Sequence, residues 1–189
     1  MRYAPQHNEA TRGRILEAAS RLFREHGVAE VGLAKIMAEV DLTVGTFYTH
    51  FESKEALLSE ALCLSLQERL AELQQARGEH ALEEAVRVYL GPEHRDAAGA
   101  GCPIAALAPE LARRPATTRE AVATQLAPTV ELLAEWLSAR RGREVSHADA
   151  TAFFGLLVGT LQLARATPDK AASDAILDAG VRAALTLAG

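Results

Sequence analysis

Residues 42–57 read LTVGTFYTHFESKEAL. Phe47 and Phe51 are four residues apart, so they would lie on one side of a short helix over residues 43–50. Thr43 stands where the N-cap of that helix is expected, and Ser53 stands before the next helix. Between residues 42 and 51 there is no acidic side chain. An outward face without carboxylates suits an approach to DNA.

Two further helices are predicted upstream of this stretch. Apolar residues recur at three- and four-residue steps over residues 11–26, and Gly27 follows as a C-cap. The pattern i, i+3, i+4, i+7 over residues 33–40 marks a second, short helix that ends near Asp41. Three short helices, with a tight turn between the second and third, match the geometry of a helix-turn-helix module.

The remainder of the chain also has helical periodicity. Six segments are predicted as helices, each bounded by Gly, Pro or a capping residue: 54–77, 81–90, 102–113, 115–141, 147–166 and 168–188. Pro128 is expected to kink the longest of them, and residues 91–101 read as a polar, Gly-bearing loop. We therefore predict an all-α protein of about nine helices. Its two parts would be a DNA-binding head, residues 1–53, and a helical body, residues 54–189.

Composition limits the function. The chain is 49% apolar and only 5% aromatic, which favours helices over sheets. Its net charge is −5, and the first 54 residues hold seven basic and seven acidic side chains, so non-specific coating of nucleic acid is excluded. The two cysteines form no disulfide framework, and the longest apolar run is shorter than the roughly 20 residues of a membrane span. We expect a cytoplasmic protein with no membrane partner.

The stretch 42–57 resembles the recognition-helix signature of TetR/AcrR-family regulators. Upstream, Ile15 to Ala19, Leu22, Phe23 and Gly27 are similar to the first helix of that family. The resemblance covers residues 12–62. It implies a homodimeric transcriptional regulator, a repressor that a small-molecule inducer releases from double-stranded operator DNA.

The resemblance also implies roles for single residues. Positions matching Thr43, Tyr48, His50 and Lys54 touch the DNA backbone, and those matching Val44, Thr46 and Thr49 face base edges. Gly45 leaves room for close backbone approach. Each has a simpler interpretation as well: Thr43 as a cap, Tyr48 as a packed ring, Lys54 as a solvated charge.

Two residues depart from the family pattern. Gly32 replaces a capping Ser or Thr, and Asp41 replaces a turn glycine, although Asp tolerates the left-handed conformation. Because Val44 and Thr46 offer little hydrogen bonding, we expect base readout to depend on thymine methyl contacts and on Arg12 or Lys35. Affinity for DNA is then modest and salt dependent.

The body is assigned by element rather than by motif. The family's inducer pocket lies between the head and the dimer interface, which makes these residues candidates for its lining: Leu66, Leu90, Cys102, Ile104, Leu107, Trp136, Phe153 and Gln162. The last two helices form the family's dimer interface. Their small residues permit close helix approach: Gly155, Gly159, Ala164, Ala172, Ala179, Gly180, Ala183 and Ala184.

Cys102 permits two interpretations. It lies at a predicted helix start, where partial positive charge favours a thiolate that could sense electrophiles or oxidants. Alternatively it is a small apolar residue that fills a helix junction. The sequence does not decide between them.

Two other function classes are alternatives to a DNA-binding regulator. An enzyme has little support, because the Glu144 and His147 pair is an isolated Glu-x-x-His spacing and no phosphate loop follows a strand. We expect no cofactor, no metal and no catalytic residue. A stronger alternative is a helical ligand-binding or adaptor protein of the same fold that has lost DNA binding, as Gly32, Asp41 and the neutral head suggest.

Overall fold

The structure, a computed structural model, describes residues 5–76, 78 and 80–189. In that part the chain is all-helical, as predicted, with ten α-helices instead of about nine. Their bounds are α1 Pro5–His26, α2 Leu33–Glu39, α3 Val44–Phe47, α4 Lys54–Leu73, α5 Ala81–Tyr89, α6 Pro92–Asp96, α7 Pro103–Leu111, α8 Ala116–Arg141, α9 His147–Ala166 and α10 Lys170–Ala188. A 3₁₀ turn, Ala98–Ala100, lies between α6 and α7.

The amino-terminal helices differ in length from their predictions. Helix α1 begins at Pro5 rather than near residue 11. Periodicity could not detect its first turns, because residues 5–10 carry no apolar stripe. Helix α3 ends at Phe47 rather than at residue 50. Beyond it, the amides of Thr49 and His50 bond to carbonyls three residues back, which closes the helix with a tighter turn.

Most helices of the body begin and end close to their predicted positions, with three main differences. Helix α4 ends at Leu73, whereas the expected end, Arg77, lies outside the described residues. Helix α6 occupies the segment expected to be a loop, with Pro92 in its first turn, where proline is favoured. Helix α10 begins at Lys170 because the Asp169 carboxylate accepts the amide of Ala172 at 2.7 Å.

Two apolar clusters hold the helices together. The first joins α1, α2 and α3 to Leu62 of α4, Leu107 of α7 and Val122 of α8. The second lies among α5, α8, α9 and α10. Since the first cluster continues from the head into the body, the head is attached along α4 and α7 by packing as well as by the chain. The boundary at residues 53 and 54 stays a prediction.

None of the helices in the described part of the chain combines the length and the apolarity that crossing a membrane requires.

Candidate nucleic-acid interface and internal cavity

The turn between α2 and α3 aims α3 outward. Asp41 has a φ of 57°, the left-handed conformation expected from the sequence. The amide of Leu42 bonds back to the Met37 carbonyl at 2.9 Å, which closes the turn. Gly32 precedes α2 without a side-chain cap, so the first amides of that helix remain open toward solvent or a bound anion.

One side of α3 is anchored in the head. Phe47 is fully buried and stacks on Phe51, with ring centroids 5.6 Å apart. Tyr48 meets the Phe47 ring edge-on at 5.1 Å, yet it remains 64% exposed. The phenylalanines therefore fix the rotation of α3 and leave the tyrosine hydroxyl available for an external partner.

The other side of α3 forms a continuous surface, here called the α3 face: Thr43, Val44, Gly45, Thr46, Tyr48 and Thr49. All six are exposed except Thr46, which is half-buried. Thr43 does not cap the helix, since its hydroxyl pairs with that of Thr46 at 3.2 Å. The face thus has three hydroxyl-bearing threonines, one phenol and an apolar Val44, and no carboxylate.

The predicted basic contacts are held in different ways. Lys35 is exposed on α2. Arg12 pairs with Glu60 and its guanidinium lies 4.7 Å from the centroid of the Phe51 ring. The Lys54 ammonium donates to the Val28 carbonyl at 2.6 Å. Arg12 and Lys54 therefore each already have an intramolecular partner.

Burial lowers the pKa of both Lys54 and His50. Arg114 adds to this effect on Lys54, and Arg12 adds to it on His50. For His50 the neutral ring is favoured, so it offers one donor and one acceptor rather than a charge.

Sequence reasoning passed over one basic residue near this surface. Arg14, exposed on α1, donates to the carbonyl of Val40 at 2.8 Å, directly before the α2–α3 turn. No periodicity indicates this contact, because it joins residues 26 positions apart.

A cavity of about 920 Å³ lies in the body. Its buried wall is formed by apolar side chains from four helices and by Thr129, Cys102 and the rings of Tyr89 and His94. Of the predicted lining residues, Leu66 and Cys102 belong to the wall. The other six lie outside it: Leu90, Ile104, Leu107, Trp136, Phe153 and Gln162.

Two of these six residues were misplaced because α5 and α9 are rotated about their axes relative to the prediction. Phe154 faces the cavity in place of its neighbour Phe153, and Tyr89 does so in place of Leu90. Gln162 is occupied elsewhere, since its amide donates to the Ala105 carbonyl at 3.1 Å. Tyr89 could have been found from the sequence, because it is three residues after Val86 on the apolar side of α5.

His94 forms hydrogen bonds with two other residues of the cavity wall. Its Nδ1 lies 2.7 Å from the Tyr89 carbonyl, and its Nε2 accepts the amide of Cys102 at 2.9 Å. Arg165 donates to the His94 carbonyl at 2.6 Å. Cys102 is buried at the start of α7, inside this network.

The small residues of α9 and α10 divide into two sets. Gly155, Gly159, Ala172, Ala179 and Ala183 lie on the surface or partly so. The other predicted interface residues, Ala164, Gly180 and Ala184, lie inside the protomer. A Cβ on Gly180 would lie 2.3 Å from the Thr160 side chain, so this glycine allows α9 and α10 to pack closely within one chain.

The comparisons with known proteins agree with this geometry. Residues 15–61 match the family described as bacterial regulatory proteins, tetR family. The chain is 43% identical over 61 residues to the HTH-type transcriptional regulator UidR of Escherichia coli K12, a match that spans 32% of this chain and 31% of that protein.

Solved structures extend the similarity to the body. A TetR-family transcriptional regulator from Agrobacterium tumefaciens is 25% identical, with a TM-score of 0.75 over 93% of this chain and 97% of that chain. A TetR transcriptional regulator from Legionella pneumophila, 18% identical, has the same fold, with a TM-score of 0.78 over 98% of both chains. Residues 15–61 therefore match the tetR family of bacterial regulatory proteins, and the fold of the chain is similar to that of solved TetR-family regulators.

Proposed function

We propose that the protein is a sequence-specific DNA-binding transcriptional regulator, a repressor that an inducer bound in the cavity releases from its operator. The α3 face carries this proposal. It is exposed, it has no carboxylate, and two buried phenylalanines hold it rigidly. A rigid helix with threonine and tyrosine hydroxyls and one apolar side chain suits a major groove, where hydroxyls bond phosphates and methyl groups meet thymine.

A homodimer would present two such faces. The exposed stripe on α9 and α10 supports it: Gly155, Gly159, Leu163, Ala179, Ala183 and Leu187. Leu163 is 63% exposed and Leu187 is 53% exposed. Each lies four residues after a small residue, Gly159 and Ala183 respectively. Pairing two chains along this stripe would cover the leucines and set two heads for half-sites about 34 Å apart.

The contact between cavity and head supports release by an inducer. His94, Ala97, Ala100 and Cys102 line the cavity, and the turn that they flank packs on α1. Arg24 of α1 donates to the Gly101 carbonyl at 2.9 Å. A ligand that displaces this segment would therefore move α1 and change the angle of the head.

A gel-shift titration with DNA from upstream of the protein's own gene tests the proposal. Tyr48→Ala should weaken binding about fivefold to tenfold by removing one phosphate bond. Lys35→Ala should reduce the dependence of log K on log salt by about one ion. The matched control is Arg143→Ala, which removes an exposed positive charge from the loop between α8 and α9.

The alternative of a ligand-binding protein without DNA binding is favoured by one observation. Arg12 and Lys54, two of the basic residues assigned to DNA, bind Glu60 and Val28 of their own chain. Failure of the wild-type protein to shift any upstream fragment at low salt would establish this alternative. Equal binding by the control and both variants would instead remove the site assignment.

A further inference from the structure

Tyr89 has a buried hydroxyl without a partner. Among the residues that the structure describes, no group meets hydrogen-bond geometry with this oxygen. The ring is held edge-on by His94 at 4.7 Å and by Phe154 at 6.1 Å. The polar neighbour of the hydroxyl is the thiol of Cys102, and sulfur is a weak hydrogen-bond partner.

Burial fixes the protonation state of this phenol. It raises the pKa of Tyr89 well above the ordinary value of 10.0, and the nearby Cys102 adds to the rise. The hydroxyl therefore keeps its proton and is a donor. A buried donor whose polar neighbour is a thiol has exchanged water for a weak partner, so a molecule that offers a better acceptor here recovers part of what folding lost.

The unpartnered hydroxyl lies at the wall of the cavity. Tyr89, His94, Cys102 and Phe154 all belong to that wall. The hydroxyl itself is buried beside this wall, so an occupant would reach it by displacing one of the wall side chains. The rest of the buried wall is aliphatic apart from Thr129, so an occupant needs an apolar body.

Charges around the cavity restrict the occupant further. On the exposed rim Glu84 and Glu93 have no ion pair with the one described rim cation, Arg69, which pairs with Glu72 at 3.0 Å. An excess of carboxylates at the entrance repels anions. Behind the wall, the Arg165 guanidinium donates to the His94 carbonyl at 2.6 Å, so a cation at the buried end is disfavoured as well.

We infer that the ligand of the cavity is an uncharged, mainly apolar molecule that presents one hydrogen-bond acceptor, such as a carbonyl oxygen, to the Tyr89 hydroxyl. This inference rests on the proposed regulatory role of the cavity. It adds the chemical class of the inducer and names Tyr89 as the residue that selects for it.

Three pyrene probes of similar size test the inference with the full chain. They are 1-acetylpyrene, which has a neutral acceptor, 1-isopropenylpyrene, which has the same shape without one, and 1-pyrenecarboxylate, which is an anion. Fluorescence titration gives a Kd for each with the wild-type protein and with Tyr89→Phe. The preference for the ketone over the hydrocarbon should be about fivefold to tenfold larger in the wild type than in the variant.

Controls separate a lost bond from a lost fold. Tyr89→Phe should melt at the same temperature as the wild type or higher, because it removes an unsatisfied donor and keeps the ring. Cys102→Ala should keep the ketone preference, since the thiol is not the proposed donor. In the gel-shift assay without probe, Arg143→Ala, which lies outside the cavity wall, should bind DNA as the wild type does.

Several results would overturn the inference while leaving the DNA-binding proposal intact. They are an equal ketone preference in wild type and Tyr89→Phe, tighter binding of the carboxylate than of the ketone, or no saturable binding of any probe. Loss of DNA binding by the wild type is a separate result, and it bears on the proposed function alone.

Discussion

His94 is a residue whose protonation matters to the folded state. Its Nδ1 donates to the Tyr89 carbonyl and its Nε2 accepts the Cys102 amide, so both bonds are satisfied only by the neutral ring. Burial lowers the pKa of His94 from 6.5, and Arg165 and Arg69 add to this, against the bond to Tyr89, which raises it. The folded state therefore binds this proton more weakly than the unfolded chain does.

The contribution of His94 to the free energy of unfolding depends on pH. The stability that His94 contributes is present above its unfolded pKa of about 6.5 and is lost as the pH falls through the lowered folded pKa. At pH 8, His94→Gln should melt about 2–4 °C below the wild type for each kcal/mol of lost hydrogen bonding. The difference should shrink between pH 7 and pH 5, measured by circular dichroism melts. A difference that stays constant over this range would contradict the assignment of the neutral ring.

Residues were predictable where local pattern decides them. The spacing of Phe47 and Phe51 correctly indicated which side of α3 faces the core, and the φ of Asp41 agrees with its predicted left-handed turn. The contact of Lys54 with the Val28 carbonyl could not be foreseen, because it spans 26 positions. Long-range contacts of this kind depend on how α1 and α4 cross, and no local spacing encodes that.

Helices were predictable from their ends more than from their faces. The Ser53 hydroxyl accepts the Ala56 amide, the Ser146 hydroxyl accepts the Asp149 amide, and Gly142 ends α8 with a φ of 63°, all as predicted. The rotation of α9 about its axis was not predictable to within one residue, since this helix is apolar on more than one side. That is why Phe154 replaced Phe153 in the cavity wall.

The packing of α9 against α10 gives a prediction at the scale of elements. Gly180→Ala should lower the melting temperature, because its Cβ would lie 2.3 Å from Thr160 and 3.1 Å from Leu90. Overpacking costs about 1–3 kcal/mol, more than the ~1 kcal/mol that alanine gains in a helix. A calorimetric melt of the variant measures the balance.

Gly13→Ala is the matched control for that substitution. Gly13 lies within α1 with nothing near its Cβ position, so alanine there should raise the melting temperature by about 2–4 °C per kcal/mol gained. If Gly180→Ala also stabilised the protein, Gly180 would lie on the surface of the protomer, as the sequence had suggested, and not between its own helices.

The two apolar clusters support different surfaces. The first supports the α3 face, and the second supports the cavity and the exposed stripe of α9 and α10. The sequence did not predict that the first cluster continues into α7 and α8. A change in the body can therefore reach the head through packed side chains as well as through α4.

The exposed stripe gives the last prediction. Two apolar side chains as exposed as Leu163 and Leu187 are expected to be covered, and flanking small residues let a second copy approach closely. In sedimentation equilibrium the wild type should have twice the chain mass of 20.2 kDa. Leu163→Glu with Leu187→Glu should sediment as a folded single chain, because four carboxylates would be buried in the interface.

Val88→Glu, a charge placed on a similarly exposed residue of α5, should remain a dimer. The double variant should also bind a two-half-site operator more weakly, since each chain then holds DNA by one α3 face. A wild type of single-chain mass, or a double variant that stays dimeric, would place the interface elsewhere.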